Sequence, residues 1–388
     1  MRFSFDFFDK GLDRLGTDCE KWDMARAEHG DILPYWVADM DFECAPAITQ
    51  ALRQRAAHPS YGYTGIIPGD TQALCDFWAR RHRVVFGPED VFMLPTVVTG
   101  LALCAQAFSS EGDGVVIQPP VYGPFFSVLR ANNRTALLNP LVRDADGRWQ
   151  MDLAHLETLF INGARLLFLC SPHNPISRLW TEAEIKGLTA LCARYDVTLI
   201  SDEIHADFTF DGGRFFSVLD AGYDKTAVLV SASKTFNVAG LLQASLVTRG
   251  ARLRETLEGL AERNGVRSGN IFALTATRAA YAQGDDWLDG LKAYLEAGRG
   301  ILLKALQADM PLCRVSPVEA TYLALLDLTA YGLTTEEWMQ KTVRAGALFT
   351  EGTFFSDTLA NGWLRFNFAC PHRLILEGVR RLKIAAEG

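Results

Sequence analysis

The chain lacks most of the features that would set it apart from an ordinary globular protein. No apolar run approaches the roughly 20 residues a membrane helix requires. The N-terminal stretch MRFSFDFFDKGLDR carries Asp6, Asp9 and Lys10 where a signal peptide would be apolar. The expectation is therefore a soluble, cytoplasmic protein with no membrane partner. The eight cysteines, at positions 19, 44, 75, 104, 170, 192, 313 and 370, include no CxxC pair, and several sit in apolar runs such as LLFLC and LALCAQAF. That distribution predicts buried free thiols, not a metal centre or a disulfide framework. Basic blocks are absent too. With 38 Lys and Arg against 46 Asp and Glu, the formal net charge is -8, which gives no electrostatic footprint for nucleic acid. Repeats, low-complexity tracts and charge runs are also missing.

What is present is enough chain and enough apolar residues, 388 in length and 49% hydrophobic, for two packed domains. Strands alternate with helices through the middle, a pattern that predicts a parallel sheet and an α/β fold. The runs GVVIQ (114–118), RLLFLC (165–170), VTLIS (197–201) and AVLV (227–230) are the near-continuous apolar strings expected of strands covered on both faces. Thr181, with Glu184 three residues on, reads as a capping box opening a helix between the second and third of these. After about residue 284 the character changes to a long helix, the strand-like TYLALLDL, the helix TEEWMQKTVRAGAL, the strand WLRFNFAC and a terminal helix. The expected organisation is an N-terminal segment, 1–45, packing on a smaller α+β domain, 285–388, with a large domain, 46–284, between them.

In open α/β sheets ligands gather at the carboxyl ends of strands, and three polar clusters follow three of these strands: SPHNP (171–175), SDEIH (201–205) and SASK (231–234). Together they meet the needs of a pyridoxal 5′-phosphate (PLP) site. Lys234 supplies the amine that binds the cofactor, and the small Ser231 and Ser233 can meet a phosphate near a helix N-terminus. Asp202, directly after an apolar strand, can keep the pyridine nitrogen protonated, and Asn174 can hydrogen-bond the ring's 3-oxygen. Singly each has an ordinary alternative: a solvated lysine, a turn aspartate, an Asx turn before Pro175. Their order, each closing a strand, joins them.

These residues resemble the fold type I PLP superfamily, with the aspartate aminotransferase fold, and within it the MalY/PatB-type cystathionine β-lyases and carbon-sulfur lyases. RLGTDCEKWD (14–23), YWVADMDF (35–42) and YGYTG (61–65) resemble that subgroup, and SPHNP, SDEIHADF, SASKTFNVAGL and RFNFACP extend the likeness nearly end to end. The resemblance implies Lys234 as Schiff-base lysine and proton shuttle, Asp202 as pyridinium partner and Asn174 near the 3-oxygen. It puts His205 where many aminotransferases have a tyrosine, and Tyr122 as the aromatic stacked on the ring. In TVVTG (96–100) it places the Val98 and Thr99 amides at the phosphate. Tyr63 would reach a phosphate in the other subunit of a homodimer, with shared active sites. Arg365, in a strand of apolar neighbours, would take the α-carboxylate of an amino-acid substrate in two parallel hydrogen bonds. Asp39, Met40 and Trp36 would line the substrate pocket.

The pattern departs in three places: Ser177 stands for a turn glycine, Gly123 for a second aromatic after Tyr122, and Phe355-Ser356 for a glycine-containing turn. The function implied is β-elimination from a cysteine-derived substrate such as cystathionine, giving thiol, pyruvate and ammonia, with no metal. An aminotransferase on the same scaffold is the alternative, and a regulatory or binding protein that retains PLP is the third reading.

Overall fold

The computed structural model describes residues 3–266, 269–359 and 361–388. Its larger sheet has seven strands: β1 (Val91–Leu94), β2 (Gly114–Ile117), β3 (Thr135–Leu138), β4 (Leu166–Cys170), β5 (Thr198–Asp202), β6 (Thr226–Val230) and β7 (Ala244–Val247). Their order across the sheet is β1-β7-β6-β5-β4-β2-β3, and β7 alone among them runs antiparallel to its neighbours. The four strands predicted from apolar runs appear here with ends within a residue of those expected. β1, β3 and β7 carry weaker signals; the outer residues of β3, Thr135 and Leu138, face solvent, so it has no continuous apolar string to read.

The sheet's centre explains where chemistry can sit. Every residue of β4 and β6 is buried. Each buried Leu, Ile or Phe there contributes roughly 1.5–3 kcal/mol. A polar residue is therefore excluded until the strand reaches the rim. Asp202 is the last residue of β5, in register with Cys170 of β4 and Leu229 of β6. The helix Glu182–Arg194 between β4 and β5 opens with the expected reciprocal cap of Thr181 and Glu184.

The smaller sheet is antiparallel, with β8 (Arg314–Val315), β9 (Leu323–Asp327), β10 (Thr350–Glu351) and β11 (Trp363–Asn367) in the order β8-β9-β11-β10. The long helix Asp285–Asp309 and the terminal helix His372–Glu387 pack together beside it. The expected helix over 335–348 is shorter than its sequence suggests and ends at Arg344. Gly346 turns the chain at φ +81°, and Ala347–Leu348 then pair in parallel with Leu33–Pro34.

That pairing fixes the N-terminal segment, and an ion network fixes residues 36–41 immediately after it. Lys21 is fully buried, with Nζ 2.8 Å from Asp41, and Trp22 Nε1 donates to the same carboxylate at 2.7 Å. Arg14 lies 2.8 Å from Asp39. A buried charge left alone would be strongly destabilising, so these pairs hold residues 36–41 as a strap beside the carboxyl ends of β4, β5 and β6.

Candidate active site

Lys234 sits on a short helix, Ala232–Thr235, capped by Ser231, whose Oγ accepts the Ser233 amide at 3.0 Å. The same hydroxyl donates to the Gln243 carbonyl at 2.5 Å, so Ser231 is committed to shaping the turn. Lys234 Nζ donates to the Ala38 carbonyl of the strap at 2.7 Å. Burial, with Arg365 adding to it, lowers the lysine's pKa in spite of Asp39, Asp202 and Glu20. An amine so placed sheds its proton more readily, as a nucleophile or base must.

Lys234 faces a cavity of about 180 Å³ that Asp202, Asn174, His205 and Tyr122 also line. Asp202 is 4% exposed, and burial pushes its carboxyl up to about 7 against the opposing pull of the Ile204 amide and Lys234. Among the described residues it has no cation within ion-pair distance, so a protonated ring nitrogen would complete it. His205 Nδ1 is buried without a hydrogen-bond partner. Burial, then Lys234 and Arg365, bring its pKa down to about 3, which keeps the imidazole neutral. Burial and Asp202 keep the Tyr122 phenol protonated.

The helix Val97–Phe108 points its N-terminus at the same cavity. Here the structure corrects the sequence reading. The Thr99 amide is taken by the Thr96 side chain at 2.9 Å, and Thr99 does not line the cavity. Thr96 is the N-cap, so the open donors of the first turn are the amides of Val97 and Val98. A threonine directly before an apolar helical run is an N-cap signature that could have identified this.

A second cavity, of about 470 Å³, shares Ala38, Tyr122 and Lys234 with the first and is lined by Arg365 and Trp36. Arg365 lies at the middle of β11, between Leu325 of β9 and Thr350 of β10, and is 3% exposed. Nη1 donates to Asn174 Oδ1 at 3.0 Å and Nη2 to Thr350 Oγ1 at 3.1 Å and to the Trp36 carbonyl, while Nε has no partner. Burial brings its pKa down to about 10. A buried guanidinium that makes no ion pair among the described residues is costly unless a carboxylate arrives.

The strap meets this cavity differently from expectation. Asp39 turns its carboxylate to Arg14, and Met40 is fully buried in the core, so neither side chain lines the cavity. The strap presents instead the Ala38 carbonyl, which also accepts the Tyr322 hydroxyl at 3.2 Å. Ala38, Tyr322 and Thr350 were not legible because their roles come from backbone or from packing between distant segments. Glu20, Glu28 and Glu351 stand at the cavity's exposed mouth. Tyr63 is fully exposed and lies outside both cavities of its own chain.

Two departures from the family pattern have local explanations. Ser177 adopts the left-handed conformation at φ +57°, and its hydroxyl bonds the Leu323 carbonyl. A Cβ at Gly123 would lie 2.8 Å from the Phe354 carbonyl, so glycine there admits Phe354 to the cavity wall.

An amine on a capped turn, a buried carboxylate on the next strand end and an unpaired arginine on a second sheet define an α/β enzyme scaffold of the aspartate aminotransferase type. The chain belongs to the aminotransferase class I and II family, whose model matches residues 37–382. It is 38% identical to cystathionine beta-lyase PatB of Bacillus subtilis (strain 168), over 97% of this chain and 99% of that protein. Protein MalY of Escherichia coli (strain K12) is 32% identical over 97% of this chain and 98% of its own. Among solved structures, the PLP-bound C-S lyase from Staphylococcus hominis superposes with a TM-score of 0.90 at 27% identity, covering 98% of both chains.

Proposed function

We propose that this protein is a PLP-dependent carbon-sulfur lyase that converts cystathionine or another S-substituted cysteine, with water, to a thiol, pyruvate and ammonia. The observation that carries the reading is the convergence of Lys234, Asp202 and unpaired Arg365 on adjoining cavities in a chain so similar to a cystathionine β-lyase. PLP suits the donor set. Lys234 would hold its aldehyde carbon, Asp202 its ring nitrogen, Asn174 and His205 the side of its 3-oxygen, and Tyr122 one ring face. The Val97 and Val98 amides with Ser233 would hold its phosphate, supported by Ser231. When bound, PLP supplies an electron sink for the pair left on Cα.

The remaining work falls to the chain's own side chains. Arg365 takes the α-carboxylate, which orients the Cα–H bond, and Asn174 steadies the guanidinium. Lys234 Nζ removes the Cα proton and is placed to return a proton to the departing sulfur. Trp36 and Phe354 line the cavity with Arg365 and would flank the sulfur substituent. The protein then has no need of a keto-acid acceptor.

The same proposal includes a cytoplasmic homodimer in which Tyr63 of a second copy reaches the phosphate. Supporting it, Tyr61, Tyr63, Ile66 and Ile67 form a run of exposed apolar side chains that a second copy would cover. It also divides the chain at about residues 45 and 284, in keeping with the two separate sheets.

The test is release of pyruvate and thiol from L-cystathionine and S-alkyl cysteines by the PLP-loaded protein without keto acid, with Lys234→Ala as control. Equal yields of both products, absent in the variant, are expected. PLP binding with no product until a keto acid is added would replace the lyase with an aminotransferase.

A further inference from the structure

A separate cleft of about 300 Å³ shares no lining residue with the two cavities of the active site. Five of its side chains are cationic. Arg80 and Arg81 are committed, to Asp285 at 2.7 Å and to Asp289 at 2.8 Å. Arg83, Arg214 and Lys292 make no ion pair with any described residue. The one carboxylate in the wall, Asp207, has both oxygens engaged, by His82 Nε2 at 2.9 Å and by the Thr235 hydroxyl at 2.7 Å. Burial would raise its pKa, but His82 and Thr235 outweigh that and lower it.

The helix dipole explains part of this. Arg80, Arg81 and His82 end the helix Pro68–His82, where basic residues are favoured. The dipole does not explain Arg214, on the loop after β5, or Lys292, on the helix Asp285–Asp309. Three elements remote in sequence bring cations to one concavity. Lys292 feels the crowding: burial and Arg81 lower its pKa against the pull of Asp207, Asp289 and Glu296.

We propose that this cleft binds a compact polyanion of the pyrophosphate class, held by Arg83, Arg214 and Lys292. Its volume lies at the lower end of the roughly 300–1,000 Å³ typical of small-molecule sites. Of its two lining rings, Phe215 is 5% exposed and the His82 side chain 6%, and they pack against each other, so no ring face is open to stack a nucleobase. A charge-dense anion fits better than a nucleotide.

The experiment is calorimetric titration of the PLP-loaded protein, whose phosphate cup is already filled, with inorganic pyrophosphate at matched ionic strength. Saturable binding of one anion per chain is expected, weakening steeply with added salt. The double variant Arg214→Ala/Lys292→Met should bind about tenfold more weakly or worse. Should that variant fold poorly, exposed Arg83→Gln gives a smaller loss at no cost to the core. ATP should bind no more tightly than pyrophosphate. Absence of saturable binding, affinity unchanged in Arg83→Gln and the double variant, or a clear preference for ATP would each overturn the proposal.

Discussion

The two ends of the catalytic cleft are built in contrasting ways. At the cofactor end, Asn174, Asp202, His205 and Lys234 each lie at the end of a buried central strand or within four residues of it, so the sheet itself sets their positions. At the substrate end nothing is local. Arg365 meets Asn174 across 191 positions of sequence and the Trp36 carbonyl across 329, and the strap that brings Trp36 there depends on Lys21 and Asp41. A rigid sheet suits groups that must hold one cofactor in one pose. A junction of strap and small sheet suits a side chain that must admit, grip and release substrates.

That contrast predicts different kinetic faults at the two ends. Asp202→Asn should lower kcat by about 100-fold or more, since its carboxylate is what would keep the ring nitrogen protonated and the electron sink open, with little change in KM. Arg365→Lys keeps the charge but loses the planar fork. It should lower kcat/KM by about 10- to 100-fold, mostly through KM. Steady-state kinetics on one S-alkyl cysteine separates the two. If Arg365→Lys depressed kcat as strongly as Asp202→Asn, the division between a cofactor end and a substrate end would not stand.

The cofactor end also predicts an unusual pH response in the protein without PLP. Between about pH 4.5 and 6.5 the folded state keeps protons on Asp202, at about 7, and on Glu203, pushed by burial to about 8, that the unfolded chain has released. In the same window it lacks protons on His205, at about 3, and His173, lowered by burial to about 4, that the unfolded chain has bound. The carboxyls make stability fall as pH rises, and the imidazoles make it rise, so the four offset one another. Asp202→Asn removes one falling contribution. Relative to the parent, its stability should climb with pH across the window by up to about 1.4 kcal/mol per unit. Urea unfolding of both apoproteins at pH 4.5, 5.5 and 6.5 checks the sign; parallel curves would mean that Asp202 is already ionised in the empty site.

How much was legible in the sequence tracks the same division. The strand ends could be read because buried parallel strands leave unbroken apolar strings, and the first polar residue after each string lies at the rim. The substrate end could be read only through resemblance, and there the reading placed Asp39 and Met40 in the pocket. Adjacent residues on an extended strap point in different directions. One of them met Arg14 and the other the core, which left the Ala38 carbonyl as the strap's contribution. Hydrogen bonds from backbone carbonyls leave no mark on residue type, so this substitution had no signal to find.

The phosphate cup offers the smallest and sharpest test, because there the structure shifts the expected pair of amides by one residue, from Val98 and Thr99 to Val97 and Val98. Thr96→Ala removes the N-cap of the helix Val97–Phe108 and should destabilise the apoprotein by about 1 kcal/mol. It also frees the Thr99 amide, which Thr96 holds in the parent. With PLP bound, a phosphate can accept that freed donor beside those of Val97 and Val98, so the loss should be smaller in the loaded protein than in the empty one. Unfolding midpoints of parent and variant, each with and without PLP, give the comparison as a double difference. An equal loss in both states would mean that the phosphate lies out of reach of the third amide, and would restrict the helix's contribution to its first two.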